Sequence, residues 1–208
     1  MAERVPLRAP RARQLTHRQR ALLAELEALF LAEGFIGFTL DDLAAKTHCS
    51  KSTLYTLAPS KEQLAVRVVA RFFKGAAEML EERIAGLTDA RQIVGEYLAG
   101  ISAYLGRASA AFMSDINDFA PARAAYELNS RAAAARIRAF INQGVADGVF
   151  REVHATLIAE MAGLLVEGIQ TGVVGARAGV SDAEAFSALS ELLLEGLETR
   201  SVTHERSR

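Results

Sequence analysis

The stretch that decides the fold runs from Thr39 to Leu64 and reads TLDDLAAKTHCSKSTLYTLAPSKEQL. A short helix is predicted over residues 40–46, because Thr39 followed by Asp42 forms a start signal of the capping-box kind. A tight turn and a second short helix over residues 50–57 follow. Two short helices joined by a tight turn indicate a helix-turn-helix.

In a helix-turn-helix, the second helix presents its N-terminal residues to the base edges of DNA. The exposed side of the predicted second helix carries Lys51, Ser52, Thr53 and Thr56, and the side facing the core carries Cys49, Leu54 and Leu57. The free backbone N–H groups beside Thr39, at the start of the first helix, are suited to a phosphate. Short capped helices with small polar residues also occur in ordinary bundles, so spacing alone leaves both interpretations open.

Helical spacing continues outward from this stretch, and strand patterns are nearly absent. Leu22, Leu26 and Phe30 lie on one apolar stripe of a helix over about residues 16–33, and Gly34 follows where a left-handed cap is expected. The predicted fold is all-α, with a three-helix N-terminal domain, a larger helical C-terminal domain and about nine helices in total.

Composition and charge narrow the class of protein. The 208 residues carry a net charge of −1, with one cysteine and no tryptophan. A single cysteine forms no internal disulfide, and no apolar run reaches the roughly 20 residues of a membrane-spanning helix. The N-terminus lacks the apolar stretch of a signal peptide. A soluble, cytoplasmic protein is therefore expected.

Positive charge is concentrated at the N-terminus. Residues 1–20 contain six arginines against the single acidic Glu3, whereas residues 66–208 carry a net charge of −3. A cationic arm in front of a mildly acidic body suits a polyanion such as DNA. A solvated, disordered N-terminus explains the same charges equally well.

Catalytic motifs are missing from the sequence. The four histidines are far apart, and neither a phosphate-binding GxGxxG after a strand nor a GxSxG is present. His48 and Cys49 are adjacent, a spacing at which nucleophile and base do not face each other. We therefore expect no enzyme activity, no metal site and no cofactor. The alternative is an all-α small-molecule-binding protein or enzyme without operator-specific DNA binding.

Residues 16–65 resemble the DNA-binding domain of the tetracycline-repressor (TetR) family of bacterial regulators. The motifs that carry the resemblance are Leu29-Phe30 with Gly34-Phe35, Thr39, Leu43-Ala44, Ser50-Lys51-Ser52-Thr53-Leu54-Tyr55 and Pro59-Ser60-Lys61-Glu62-Gln63-Leu64. The resemblance implies a flexible basic arm over residues 1–15, a helix-turn-helix DNA-binding domain over 16–62 and a helical ligand-binding and dimerisation domain over 63–208.

The resemblance also implies which residues meet DNA. The predicted set is Thr39, Ser50, Lys51, Ser52, Thr53, Tyr55, Thr56 and Lys61. Thr39 and Lys61 match positions that contact the DNA backbone, and Tyr55 matches the tyrosine of the recognition helix. A lysine at a helix N-terminus opposes the helix dipole, a local cost that an adjacent phosphate offsets.

Three features depart from the family pattern. His48 stands in the turn where glycine is usual, so its backbone must be left-handed or the turn must differ. Cys49 replaces a valine and is predicted to be a small buried hydrophobe. Leu57 and Ala58 replace the usual aromatic residues, which bears on how the N-terminal domain packs against the fourth helix.

For the C-terminal domain the resemblance implies a homodimer through the last two long helices, a palindromic operator and release by a small molecule. Gly163, Gly168, Gly172 and Gly175 are expected in one helix, where close packing at a dimer seam would compensate for them. An internal helix crossing is the alternative. The pocket candidates for a mostly apolar ligand are Phe73, Tyr97, Tyr104, Phe112, Asp115, Phe119 and Tyr126.

Overall fold

The computed structural model describes residues 15–197, apart from the side chains at positions 182 and 183. This part contains no strand and ten helices: α1 His17–Glu33, α2 Leu40–Lys46, α3 Lys51–Tyr55, α4 Lys61–Ile84, α5 Ala90–Leu105, α6 Ala110–Asp118, α7 Ala120–Ala146, α8 Ala155–Gln170, α9 Val173–Ala178 and α10 Asp182–Leu197. The all-α prediction is confirmed. The predicted basic arm lies outside the described residues, apart from its last residue.

The first four helices each begin directly after a capping residue. Thr16 and Thr39 each form a reciprocal capping box with the residue three positions later. Ser50 and Ser60 accept a backbone N–H of the following helix through their side chains. Because a cap satisfies an N–H group that the helix leaves unpaired, these residues fix where each helix starts.

Two backbone positions in the N-terminal domain require a positive φ. Gly34 ends α1 at φ 78°, as expected, although its ψ of −170° is extended rather than left-handed helical. His48 adopts φ 48° in the turn between α2 and α3. The left-handed turn is therefore kept without the usual glycine, at the strain that a non-glycine residue bears in this region.

The core of the N-terminal domain accommodates the unusual residues after Tyr55. Leu57 and Ala58 are both buried in the cluster that joins α1, α2, α3 and the first half of α4. Cys49 is half-buried rather than fully buried, and its sulfur lies 3.2 Å from the Thr47 hydroxyl. These two side chains thus belong to the core at the positions where the family pattern has aromatic residues.

Two core clusters divide the described part. The first contains the N-terminal domain together with α6 and the start of α7, and therefore crosses residue 62. The second lies among the end of α4, α5, α7, α8 and α10, with buried residues such as Leu98, Ile101, Ile137 and Ile141.

None of the helices between residues 15 and 197 is long and apolar enough to cross a membrane.

The prediction of one glycine-rich helix is wrong. Gly163 and Gly168 lie in α8, whereas Gly172 follows that helix at φ 72° and Gly175 belongs to α9. A Cβ on Gly168 would lie 3.0 Å from a methyl carbon of Val174 in the same chain. Gly168 therefore makes room for a contact with α9, the next helix of the same chain.

Candidate nucleic-acid interface and ligand cavities

Hydroxyl groups gather at the N-terminus of α3. The Ser50 hydroxyl caps the helix by accepting the Thr53 N–H at 3.2 Å, and it lies 2.7 Å from the Ser52 hydroxyl and 2.9 Å from that of Thr53. Ser50 and Ser52 are exposed. In a helix-turn-helix, this is the end of the second helix that reaches base edges.

The cation of the same helix already has an anionic neighbour. Lys51 Nζ lies 2.8 Å from a carboxylate oxygen of Asp41, in the first turn of α2, and both side chains are largely exposed. The hydrogen bond from Lys51 to Asp41 raises the pKa of the lysine. Lys51 is therefore charged, and its charge is partly balanced within the N-terminal domain.

The other end of α3 combines an exposed ring with an internal tether. Tyr55 is 52% exposed, so its ring and hydroxyl face outward from the recognition helix. Thr56 donates to the Thr53 carbonyl at 2.7 Å and accepts from Gln19 Nε2 of α1 at 3.3 Å. The Thr56 hydroxyl thus also fixes α3 against α1.

The two predicted backbone-contacting residues both hold the loop around α2. The Thr39 hydroxyl donates to Asp42 Oδ2 at 2.6 Å, and this bond lowers the pKa of Asp42. Lys61 Nζ donates to the carbonyl oxygens of Ile36 and Phe38 at 2.7 and 2.6 Å. Lys61 thereby fastens the loop before α2 to the first turn of α4.

A carboxylate on α6 joins the two domains. Asp115 Oδ2 accepts the backbone N–H groups of both Phe35 and Ile36, the second at 2.8 Å. The Phe35 ring lies 6.0 Å, centroid to centroid, from both Phe112 and Phe119, edge-on to each. Three of the seven pocket candidates therefore lie at the contact between domains.

A second link between the domains is an ion-pair network around Glu27 of α1. Its carboxylate accepts Arg71 Nε of α4 at 2.8 Å and lies 3.7 Å from a guanidinium nitrogen of Arg107, between α5 and α6. Only 12% of the Glu27 side chain is exposed. Sequence reasoning missed this network, because its members are 44 and 80 residues from Glu27 and follow no helical spacing.

Three other candidates line a cavity among α4, α5, α7 and α8. This inner cavity has a volume of about 50 Å³, and its wall includes Phe73, Tyr104 and Tyr126. Tyr126 donates its hydroxyl to Gln170 Oε1 at 3.1 Å. Tyr97 lies outside this cavity, and its ring centroid is 5.2 Å from that of Phe140. Burial raises the pKa of Tyr97 to about 12.

A larger cavity opens beside it, next to the segment that joins α5 to α6. This outer cavity has a volume of about 630 Å³ and is bounded by α5, α6, the end of α8 and α10. Its wall consists of Ser102, Ala103, Leu105, Gly106, Arg107, Ala108, Ala110, Met113, Ser114, Asn117, Gln170, Thr171, Gly172 and Phe186. Leu105 and Gln170 belong to both walls, so the two cavities adjoin.

Large apolar side chains are exposed along α8 and α10. Leu157, Met161 and Leu164 of α8 are 50–69% exposed, and Leu192 of α10 is 66% exposed. Leu192 also lines an apolar groove of about 350 Å³ between the two helices, together with Leu165 of α8. Several large apolar side chains exposed on neighbouring helices are typical of a protein–protein interface.

Within residues 15–197, no three histidine, cysteine or acidic residues come together in a way that could hold a metal ion. The half-buried Cys49 therefore belongs to no such group in the described part of the chain.

Comparison with known proteins gives a match at the N-terminus and a fold match over nearly the whole chain. Residues 22–68 match the family model described as "Bacterial regulatory proteins, tetR family". A search of the curated proteins finds no significant match. The solved structures therefore supply the comparison for the remainder of the chain.

Three solved structures have a similar fold. A transcriptional regulator from Saccharomonospora viridis in complex with choline is 19% identical, with a TM-score of 0.74 over 87% of this chain and 97% of that chain. A transcriptional regulator from Cytophaga hutchinsonii is 18% identical, with a TM-score of 0.72 over 88% and 100%. A TetR-family regulator from Agrobacterium tumefaciens is 19% identical, with a TM-score of 0.69 over 86% and 97%.

Proposed function

We propose that this chain represses transcription from a palindromic operator and is released by a small, mostly apolar molecule. Through its N-terminal domain, the chain belongs to the tetR family of bacterial regulatory proteins. The observation that carries the proposal is the exposed polar face of α3, whose capped N-terminus is held in place by the rest of the N-terminal domain. A small-molecule-binding protein without operator specificity would not need this face. Regulators of this family are generally non-enzymatic, and we assign the chain no catalytic activity.

The proposed DNA contacts divide by chemistry. Thr39 and Lys61 are assigned to phosphates, and the α3 side chains are assigned to bases. The Lys61 ammonium supports the phosphate role, because it offers positive charge without sequence preference. The capping box uses the N–H groups of Thr39 and Asp42, so the donors proposed for a phosphate at the start of α2 are those of Leu40 and Asp41. The third donor of Lys61 remains available when two of them bind Ile36 and Phe38.

We assign dimerisation to α8 and α10. The exposed leucines and methionine on these helices support the assignment, because they would be covered by the same face of a second copy. A two-fold dimer places two recognition helices about 34–36 Å apart, as successive major grooves of a palindrome require. We propose that the protein acts in the cytoplasm, where a DNA operator is accessible to it.

The adjoining cavities are the proposed effector site. The outer volume of about 630 Å³ lies in the range of small-molecule sites. The choline in the Saccharomonospora viridis regulator is a cation. A quaternary ammonium ion binds the faces of aromatic rings, and the face of Tyr104 is already covered by the guanidinium of Arg107, so choline is not assigned here.

Fluorescence anisotropy tests the function directly. The full chain is titrated against a labelled duplex from immediately upstream of its gene, and against a scrambled duplex of equal composition, at two salt concentrations. A repressor binds the upstream duplex more tightly, with affinity that falls as salt rises. If neither this duplex nor a selection from random DNA yields a preferred sequence, the proposed function is wrong.

A further inference from the structure

The two cavities differ in chemistry. The inner wall is aromatic and aliphatic, with a few neutral polar groups such as Asn129, Ser130 and Gln170. The outer wall adds the hydroxyls and amides of Ser102, Ser114, Asn117 and Thr171. Among all described residues that line either cavity, Arg107 is the single one with a formal charge.

Arg107 stands close to the boundary between the two cavities. Its guanidinium carbon lies 4.5 Å from the centroid of Tyr104, an inner-wall ring, and 5.9 Å from that of Phe72. Half of its side chain is exposed. Because a cation already covers the Tyr104 face, a second cation bound there would be repelled, whereas an anion would be attracted.

The acidic partner of Arg107 holds it only weakly. Glu27 binds Arg71 through Oε2 at 2.8 Å, whereas its Oε1 lies 3.7 Å from Arg107, which is longer than a hydrogen bond. Arg107 thus retains donors for a further acceptor. A guanidinium binds a carboxylate in a two-bond fork, which is stronger than a bond to a neutral oxygen.

From this geometry, and resting on the regulatory function proposed above, we propose that the effector is an amphipathic carboxylate whose acid group binds Arg107. Its apolar chain occupies the outer cavity, and the inner cavity of about 50 Å³ beside Tyr104 and Phe73 receives only the terminal carbons of that chain. The bound carboxylate competes with Glu27 for Arg107. Since Glu27 belongs to α1, binding of the effector weakens one of the ties between the ligand site and the DNA-binding domain.

Probes that share one apolar chain and differ in the charge of the head group test the class of ligand. Octanoate, octanol and octyltrimethylammonium form one set, and phenylbutyrate with its alcohol and its trimethylammonium analogue forms a second. Binding to the full chain is measured by calorimetry, and release from DNA by anisotropy. We expect the carboxylate of at least one set to bind about ten-fold or more tightly than its alcohol, as loss of one charge-assisted bond predicts. Equal or tighter binding of the alcohols or ammonium ions, or no carboxylate binding, overturns the proposal.

Three variants then locate the acid group. Arg107→Gln should remove the preference for carboxylate over alcohol, whereas Glu27→Gln should increase carboxylate affinity by removing the competitor. Arg83→Gln is the matched control, because Arg83 is similarly exposed and paired with Glu96 but lines neither cavity. A preference that survives Arg107→Gln, or that Arg83→Gln also removes, contradicts the assignment.

The DNA measurements separate the two proposals. If the wild-type chain selects an operator and only uncharged or cationic probes release it, the ligand class is wrong and the regulatory function stands. If carboxylates bind through Arg107 but no DNA sequence is preferred, the regulatory function fails independently of the ligand class.

Discussion

The carboxylate of Asp115 on α6 accepts the backbone N–H of Ile36 at 2.8 Å and so joins two residues that lie 79 positions apart. The same oxygen accepts the N–H of Phe35 and would lie 2.6 Å from a Cβ on Gly34. Glycine at position 34 therefore provides both the positive φ and the space for the carboxylate. The loop after α1 is anchored to a helix that lines the outer cavity.

Replacing Asp115 by alanine should weaken this anchor. The substitution leaves two backbone N–H groups without their acceptor, and we expect the free energy of unfolding to fall by about 2–3 kcal/mol. Urea denaturation measures the change. Asp118→Ala, on the same helix with a single 3.5 Å side-chain bond from Ser114, is the control and should cost far less. Equal losses would show that the bonds to the loop contribute nothing.

Tyr97 should make stability fall at alkaline pH. Burial raises its pKa to about 12 in the folded chain, against an ordinary value of 10.0. The unfolded chain releases the Tyr97 proton at a lower pH than the folded chain does. The contribution of this group to stability is therefore complete below pH 10 and is lost as the pH rises from 10 to 12. We expect about 2–3 kcal/mol of pH-dependent stability from this group. Chemical denaturation of wild type and Tyr97→Phe over this range isolates the contribution. Parallel curves for the two proteins would contradict it.

Helix starts were predictable because their signals are local. Thr39, Ser50 and Ser60 each cap the helix that follows within three residues, so the sequence alone locates these starts. The left-handed turn at His48 was likewise one of two options that its position allowed. Short-range hydrogen bonding therefore carries the predictable part of this fold.

The contacts between domains were not predictable, because they depend on tertiary packing. Asp115 was expected in a ligand pocket, but its position in sequence gives no sign that α6 would lie against the loop after α1. The carbonyl partners of Lys61 lie 25 and 23 residues away and are backbone atoms, which leave no mark in the sequence. The break at Gly172 was missed because glycine is compatible with both a helix interior and a left-handed end.

Lys61→Ala should weaken DNA binding about equally on all sequences and lower the slope of log affinity against log salt by roughly 1. A phosphate contact carries charge but no sequence information, which is the reason for the uniform loss. Anisotropy with the upstream and scrambled duplexes measures both quantities. Lys74→Ala is the control, since Lys74 is an exposed lysine of the same helix, paired with Glu78. A loss confined to one duplex would contradict the phosphate role.

Asp41→Asn should strengthen DNA binding. The substitution releases Lys51 from its 2.8 Å ion pair and removes a negative charge beside the recognition helix. Because both groups are exposed, we expect an increase of about two- to five-fold at low salt, vanishing at high salt. Asp147→Asn, at the end of α7, serves as the charge-matched control. Weaker binding by Asp41→Asn would instead mean that Asp41 positions Lys51 for its contact.

Leu164→Asp should dissociate the proposed dimer. Leu164 is 69% exposed on α8, one of the two helices assigned to the dimer, and a carboxylate in a closed apolar interface would be buried without a partner. Sedimentation velocity at several protein concentrations measures the association. Leu128→Asp is the matched control, because Leu128 is 68% exposed on α7, which is not one of the two helices assigned to the dimer. An unchanged dimer in Leu164→Asp, or a monomer in Leu128→Asp, would place the interface elsewhere.

Monomeric Leu164→Asp should also lose affinity for the full palindrome while keeping its weak binding to a half-site, because each recognition helix then binds alone.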